Sequence, residues 1–227
     1  YAPVSSLEVT AAADPNYPCC TFRGKVMAID ASSGASQWES YTVPDPASKQ
    51  GVTSVGTAIL APSGAPVWNS PTLDPDNNRL FFGSGENYSS PADGNSDAIF
   101  AVRMDTGERL WTRQIFSGDA WNVGCMMSVN HPNCPPELGP DYDLGSSPLL
   151  VEVPGAEDFI VAGHKDGTVI AYDAATGANR QWVTKVGRGS IQGGVHFGMA
   201  AEGARVYAPI NDMNDTRNGE YLDPALA

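Results

Sequence analysis

Carboxylates dominate the polar side chains of this chain. Aspartate and glutamate number 26 against 13 lysines and arginines, a formal charge of −13. Carboxylates on loops can gather around a hard cation, and a carboxylate beside such a cation can take a proton from a substrate. The same acidity also serves solubility alone, and composition does not choose between the two. The four cysteines fall in two close pairs, the adjacent Cys19-Cys20 and Cys125 with Cys134. Neither pair has the Cys-x-x-Cys spacing of a zinc site, so disulfides are expected ahead of free thiols, and with them an oxidising compartment. His131, His164 and His196 share no metal-ligand spacing and are assigned no metal.

These residues need a scaffold. With 227 residues, 41% hydrophobic and 17% charged, the chain is long enough for a sizeable core and has ordinary globular composition. Its negative field would repel phosphate backbones, which argues against a nucleic-acid partner. No apolar run approaches the roughly 20 residues needed to cross a bilayer. The start, Tyr-Ala-Pro-Val-Ser-Ser, has neither an initiator Met nor the pattern of a signal peptide, and is expected to be a processed or cut end.

Short apolar stretches alternate with turn residues, 24 glycines and 18 prolines among them. This predicts many short strands, as in an all-β fold, with no helix-length periodicity. Residues Arg79–Gly83, Ala98–Arg103, Asp158–Gly163 and Thr168–Asp173 read as strands, and Asp166-Gly167 marks a hairpin turn between the last two. One motif recurs three times: Ala28 to Gly34 ending at Trp38, Ala101 to Gly107 ending at Trp111, and Ala171 to Gly177 ending at Trp182. Each is a strand, a turn with Ser or Thr before Gly, and a strand carrying Trp. A glycine of positive φ makes the turn, and a Trp in fixed register packs between adjacent sheets. The spacing of roughly 70 residues exceeds that of WD40 blades, which leaves a propeller whose blades carry long loops.

The repeat resembles the tryptophan docking motif of the quinoprotein alcohol dehydrogenase superfamily. Further segments are similar to its polyvinyl-alcohol dehydrogenase branch: Val4 to Glu8, Tyr17 to Gly24, Val67 to Pro75, Gly83 to Ser89 and Asp141 to Pro148. The resemblance covers nearly the whole chain. It implies part, about four blades, of an eight-bladed quinoprotein β-propeller spanning residues 1–227, an incomplete ring by that count. It also implies an enzyme that oxidises a primary or secondary alcohol, small or polymeric, by hydride transfer to pyrroloquinoline quinone (PQQ). Calcium or a lanthanide would polarise the quinone, a cytochrome c-type acceptor would take the electrons, and the place would be the periplasm or the cell exterior. Cys-x-x-Cys-His is absent, so an electron-accepting haem is expected elsewhere.

Carried over residue by residue, the resemblance makes Glu8 a metal ligand, followed by Glu86 or Asn87 in Gly-Ser-Gly-Glu-Asn. Direct count favours Glu86, whereas Asn87 keeps the family's residue type. Asp141 matches the catalytic aspartate as general base and metal ligand. Its rival is Asn122 in Gly118-Asp119-Ala120-Trp121-Asn122, an amide that cannot serve as base. Asp143 stands where lanthanide-using relatives carry an extra carboxylate, although a turn contact is an equal reading. Lys165 matches the cation that reaches the quinone oxygens and stabilises the reduced form. Trp68 matches the ring on which the quinone stacks, Asn211 is a further quinone contact, and Cys19-Cys20 resembles the vicinal disulfide ring near the quinone. The rivals to this reading are a cofactor-free scaffold propeller and a PQQ-dependent sugar dehydrogenase.

Overall fold

The computed structural model describes residues 1–153, 155, 158–178 and 181–211. Antiparallel sheets follow one another along the chain. β1 (Ala2–Val4), β2 (Lys25–Ile29) and β3 (Ser36–Tyr41) form the first, with the short helix α1 (Glu8–Ala11) in the connection. β4 (Ser48–Val52) and β5 (Ala58–Ala61) pair as a hairpin. β6 (Thr72–Asp74), β7 (Arg79–Gly83), β8 (Ala98–Arg103) and β9 (Arg109–Gln114) make a four-stranded meander. After helix α2 (Val123–Met127), β10 (Leu149–Val151), β11 (Phe159–Gly163), β12 (Thr168–Asp173) and β13 (Trp182–Lys185) make another. β14 (Ala200–Glu202) pairs with β15 (Arg205–Tyr207). The expected all-β propeller architecture is therefore what forms.

Alternation along the strands explains how these sheets stack. In β7 every residue is buried. Period two sends Leu80 and Phe82 to one face, where they meet Val26 of β2, and Phe81 to the other, where it meets Ile160 and Ile170. Farther along, Val161 and Val169 pack with Val195 against Val206 of β15. A sheet covered on both faces by its neighbours must be apolar on both, as β7 and β8 are.

Two of the three tryptophans, Trp38 and Trp111, connect successive sheets. Trp38 donates from Nε1 to the Met104 carbonyl (3.1 Å), and Trp111 donates to the Ala174 carbonyl (3.3 Å). Each ring lies on the turn glycine of the next sheet. A Cβ on Gly107 or Gly177 would stand 2.5 Å from a Trp38 or Trp111 ring carbon, and both glycines have positive φ. Arg113 adds a bond to the Gly177 carbonyl (2.6 Å). Trp182, third in register, is 38% exposed.

Candidate active site

The end of β7 runs into a buried loop, Ser84 to Ser89, that carries Glu86 and Asn87. Opposite lies the Asp141-Tyr142-Asp143 segment, and between β11 and β12 the His164-Lys165-Asp166-Gly167 turn. Glycine permits their approach: a Cβ on Gly85 would collide with Asp143 Oδ1. That oxygen instead accepts the Glu86 N–H at 3.1 Å. Carboxylate oxygens of Glu86, Asp141 and Asp143 come within 4.8 Å of one another, all three residues buried. Lys165, only 3% exposed, reaches Asp143 Oδ2 at 2.5 Å and Asp141 Oδ1 at 3.4 Å. Four of the sequence-derived candidates thus meet, from three separate loops.

Three carboxylates against one ammonium leave uncompensated negative charge in a buried place. Burial foremost, then the charges of Asp143 and Asp141, push Glu86 well above the ordinary carboxylate range. Asp141 is also pushed well up by burial; Lys165 opposes this, while Asp143 and Asp119 add to it. For Asp143 burial is outweighed by Lys165 and by hydrogen bonds from Lys165 and Glu86, so its carboxyl lies low. Lys165 is held above its usual value because its acidic partners overcome its burial. Such a site reaches neutrality by binding protons or a cation, and an all-oxygen donor set suits a hard ion.

Not every candidate joins. Glu8, the first residue of α1, turns its buried carboxylate elsewhere: it accepts from the Tyr17 hydroxyl (2.9 Å), the Thr21 N–H (2.9 Å) and the Phe22 N–H (2.6 Å). These donors fix the backbone beyond the vicinal cysteines, and Glu8 lies outside the group of three. Asn87 is fully buried, but its amide donates to the Ser63 carbonyl (3.0 Å) and accepts the Asp93 N–H (2.8 Å), a loop bracket. Of the two neighbours, Glu86 is the one brought to the aspartates. Asn122 caps α2, accepting the Gly124 N–H at 2.9 Å and donating to the Tyr88 and Asn133 carbonyls.

Comparison with known proteins gives the family of the chain. The family model for the PQQ-type glucose/ethanol/alcohol dehydrogenase β-propeller domain matches residues 6–128. The chain belongs to this quinoprotein family. It is similar to polyvinylalcohol dehydrogenases of a Pseudomonas species (33% identity over 97% of this chain) and of Sphingopyxis strain 113P3 (33% over 94%). It spans 34% and 33% of those relatives, about a third of their length. Among solved structures, a quinohaemoprotein alcohol dehydrogenase from Pseudomonas putida HK5 matches 74% of this chain and 25% of its own, with 25% identity and a TM-score of 0.52.

Against that quinoprotein background the remaining candidates take their places. Trp68 is 39% exposed; its ring lies against Gly145, where a Cβ would stand 2.2 Å from a ring carbon, and against His196, 5.5 Å between ring centres. His196 lies close enough to Lys165 that burial and that charge together lower its pKa. Cys19 and Cys20 are disulfide-bonded and buried with Tyr88 and Ala12, and Cys125 is bonded to Cys134. Asn211 donates from its amide to the Gln192 carbonyl (2.5 Å). Among the described residues no hydrogen bond or ion pair ties Trp68 or Asn211 to the carboxylates. The part-exposed Trp68 ring, buried Lys165 and oxygen donors are nevertheless chemically suited to a planar quinone and its cation.

Two further acids escaped the reading of the sequence. Asp97 is fully buried, its carboxyl set against that of Asp119. Burial first, then Asp119 and Asp143, push it well up. Asp119 is raised to about 6, mainly by burial, despite accepting the N–H groups of Tyr142 and Asp141. Asp119 stood inside the segment weighed for Asn122; nothing in its spacing marked the aspartate itself.

Proposed function

We propose that the protein oxidises an alcohol, hydride passing to PQQ and electrons onward to a cytochrome c-type acceptor in the periplasm or outside the cell. The observation that carries this reading is the meeting of Glu86, Asp141 and Asp143 with Lys165 in one buried site. When bound, PQQ supplies the hydride acceptor and calcium or a lanthanide polarises it. Glu86, Asp141 and Asp143 are the oxygen donors for that ion, and Glu8 contributes by holding the Thr21-Phe22 backbone. Asp141, held beside Glu86, Asp143 and the Lys165 ammonium, takes the hydroxyl proton of the alcohol as its carboxylate. Lys165, kept charged by its acids, would hold an ammonium against the quinone's oxygens. Trp68 offers the stacking face, with the vicinal disulfide and Asn211 as further quinone contacts. The names of the relatives make a polymeric secondary alcohol the first substrate to try.

The test uses full-length protein reconstituted with PQQ and calcium or a light lanthanide. Dye reduction should depend on ethanol, 2-butanol or polyvinyl alcohol and exceed that with glucose. Asp141→Asn should lower kcat by about a hundredfold or more, the scale of general-base catalysis. Loaded protein that reduces dye with no alcohol, or full turnover by the Asp141→Asn variant, would defeat the proposal.

A further inference from the structure

Asp141 has left-handed backbone, φ +59°. Aspartate enters that region more readily than most residues with a side chain, but its place there is still fixed by what bonds its backbone. The holding group is Asp119. Its Oδ1 accepts the Asp141 N–H at 3.1 Å and its Oδ2 accepts the Tyr142 N–H at 2.6 Å. Two consecutive N–H groups around a left-handed residue form an anion-binding concavity, and here a fully buried carboxylate fills it. Asp119 is itself anchored on both sides. Its carbonyl accepts the Asn87 N–H (3.0 Å), next to Glu86, and the Gly139 N–H is bonded to the Ala120 carbonyl (2.9 Å). Gly139 lies so close that a Cβ there would collide with Asp119 Oδ1.

We infer that Asp119 is a positioning residue for the reaction: a two-point clamp that fixes the backbone at Asp141 so that its carboxylate faces Lys165 and Glu86. The inference rests on the reading of Asp141 as the base. Without the clamp, Asp141 relaxes to negative φ, and its Cα–Cβ bond turns away from Lys165. The sequence around Asp119 drew attention to Asn122, yet the aspartate three residues earlier is the one bonded to the site.

Two variants of the full-length enzyme reach the clamp by different routes. Asp119→Ala removes both acceptors, whereas Gly139→Ala leaves the carboxylate but pushes it and the Asp119–Ala120 backbone aside. Each should lower kcat about 10- to 100-fold, a part of what a general base contributes, with KM and the quinone dissociation constant changing less than about threefold. Added to Asp141→Asn, Asp119→Ala should cost nothing more, because the group it positions is already gone. Quinone binding, followed by absorbance titration, and the melting temperature supply readouts apart from turnover. Undiminished kcat in both variants overturns the inference, as does a loss that adds fully to that of Asp141→Asn, or quinone affinity falling in step with kcat. An Asp141→Asn enzyme of normal rate would instead remove the base assignment on which the clamp depends.

Discussion

Replacing the turn glycine of a docking motif by alanine should cost very different amounts in blades that share the same local sequence. Gly177 has φ +60°, and a Cβ added there would stand 2.5 and 2.6 Å from two ring carbons of Trp111. Gly34 occupies the same motif position with φ +74°, but nothing lies within 4 Å of its Cβ site. Gly34→Ala should therefore cost only the left-handed backbone of an alanine, about 1 kcal/mol. Gly177→Ala carries the same cost plus the displacement of a buried ring, about 1–3 kcal/mol more. Trp111→Ala alone should cost about 3–5 kcal/mol, and in that background Gly177→Ala should fall back toward about 1 kcal/mol, since its obstacle is gone. Urea unfolding followed by far-ultraviolet circular dichroism measures all four proteins. Equal losses for Gly34→Ala and Gly177→Ala, or a Gly177→Ala penalty undiminished without Trp111, would refute the claim that the ring on glycine holds successive sheets together.

Further outcomes follow from the site and its loops. Glu86 and Asp141 have raised folded pKa values and Asp119 lies at about 6, so in metal-free protein these groups favour stability at low pH and lose that contribution as pH rises past about 4. Calcium must displace such protons, so calorimetry at pH 6 in two buffers of different protonation enthalpy should show proton release, reduced in Glu86→Gln; identical heats would contradict it. Asp143→Ala removes one carboxylate and leaves Lys165 with Asp141, so terbium affinity should fall about tenfold more than calcium affinity. An unchanged ratio, read by luminescence competition, would reduce Asp143 to a partner of Lys165. Cys125 and Cys134 are nine positions apart, and opening that loop by Cys125→Ser should cost about 2.5 kcal/mol. Asn133 in the loop donates to the Asp14 and Tyr17 carbonyls, so amide exchange should quicken over residues 12–17 while β7 stays protected.

What the sequence determined by itself was what repeats locally. Short apolar runs between turn residues marked Arg79–Gly83, Ala98–Arg103 and Thr168–Asp173 with the bounds the strands have, because a strand covered on both faces is apolar along its length. The recurring Gly-to-Trp motif announced how sheets stack, and the structure seats Trp38 on Gly107 and Trp111 on Gly177. Family resemblance supplied the candidates of the site, yet spacing did not say which would meet. Tertiary structure decided that Glu86 faces the aspartates while its neighbour Asn87 brackets loops, a choice made by the direction of one side chain at the end of β7. It turned Glu8 toward the donors of Tyr17, Thr21 and Phe22, because N–H groups held by their backbone compete for a carboxylate. It also buried Asp97 and Asp119 behind the cluster, where burial is a property of everything packed around a residue and leaves no trace in the residues beside it.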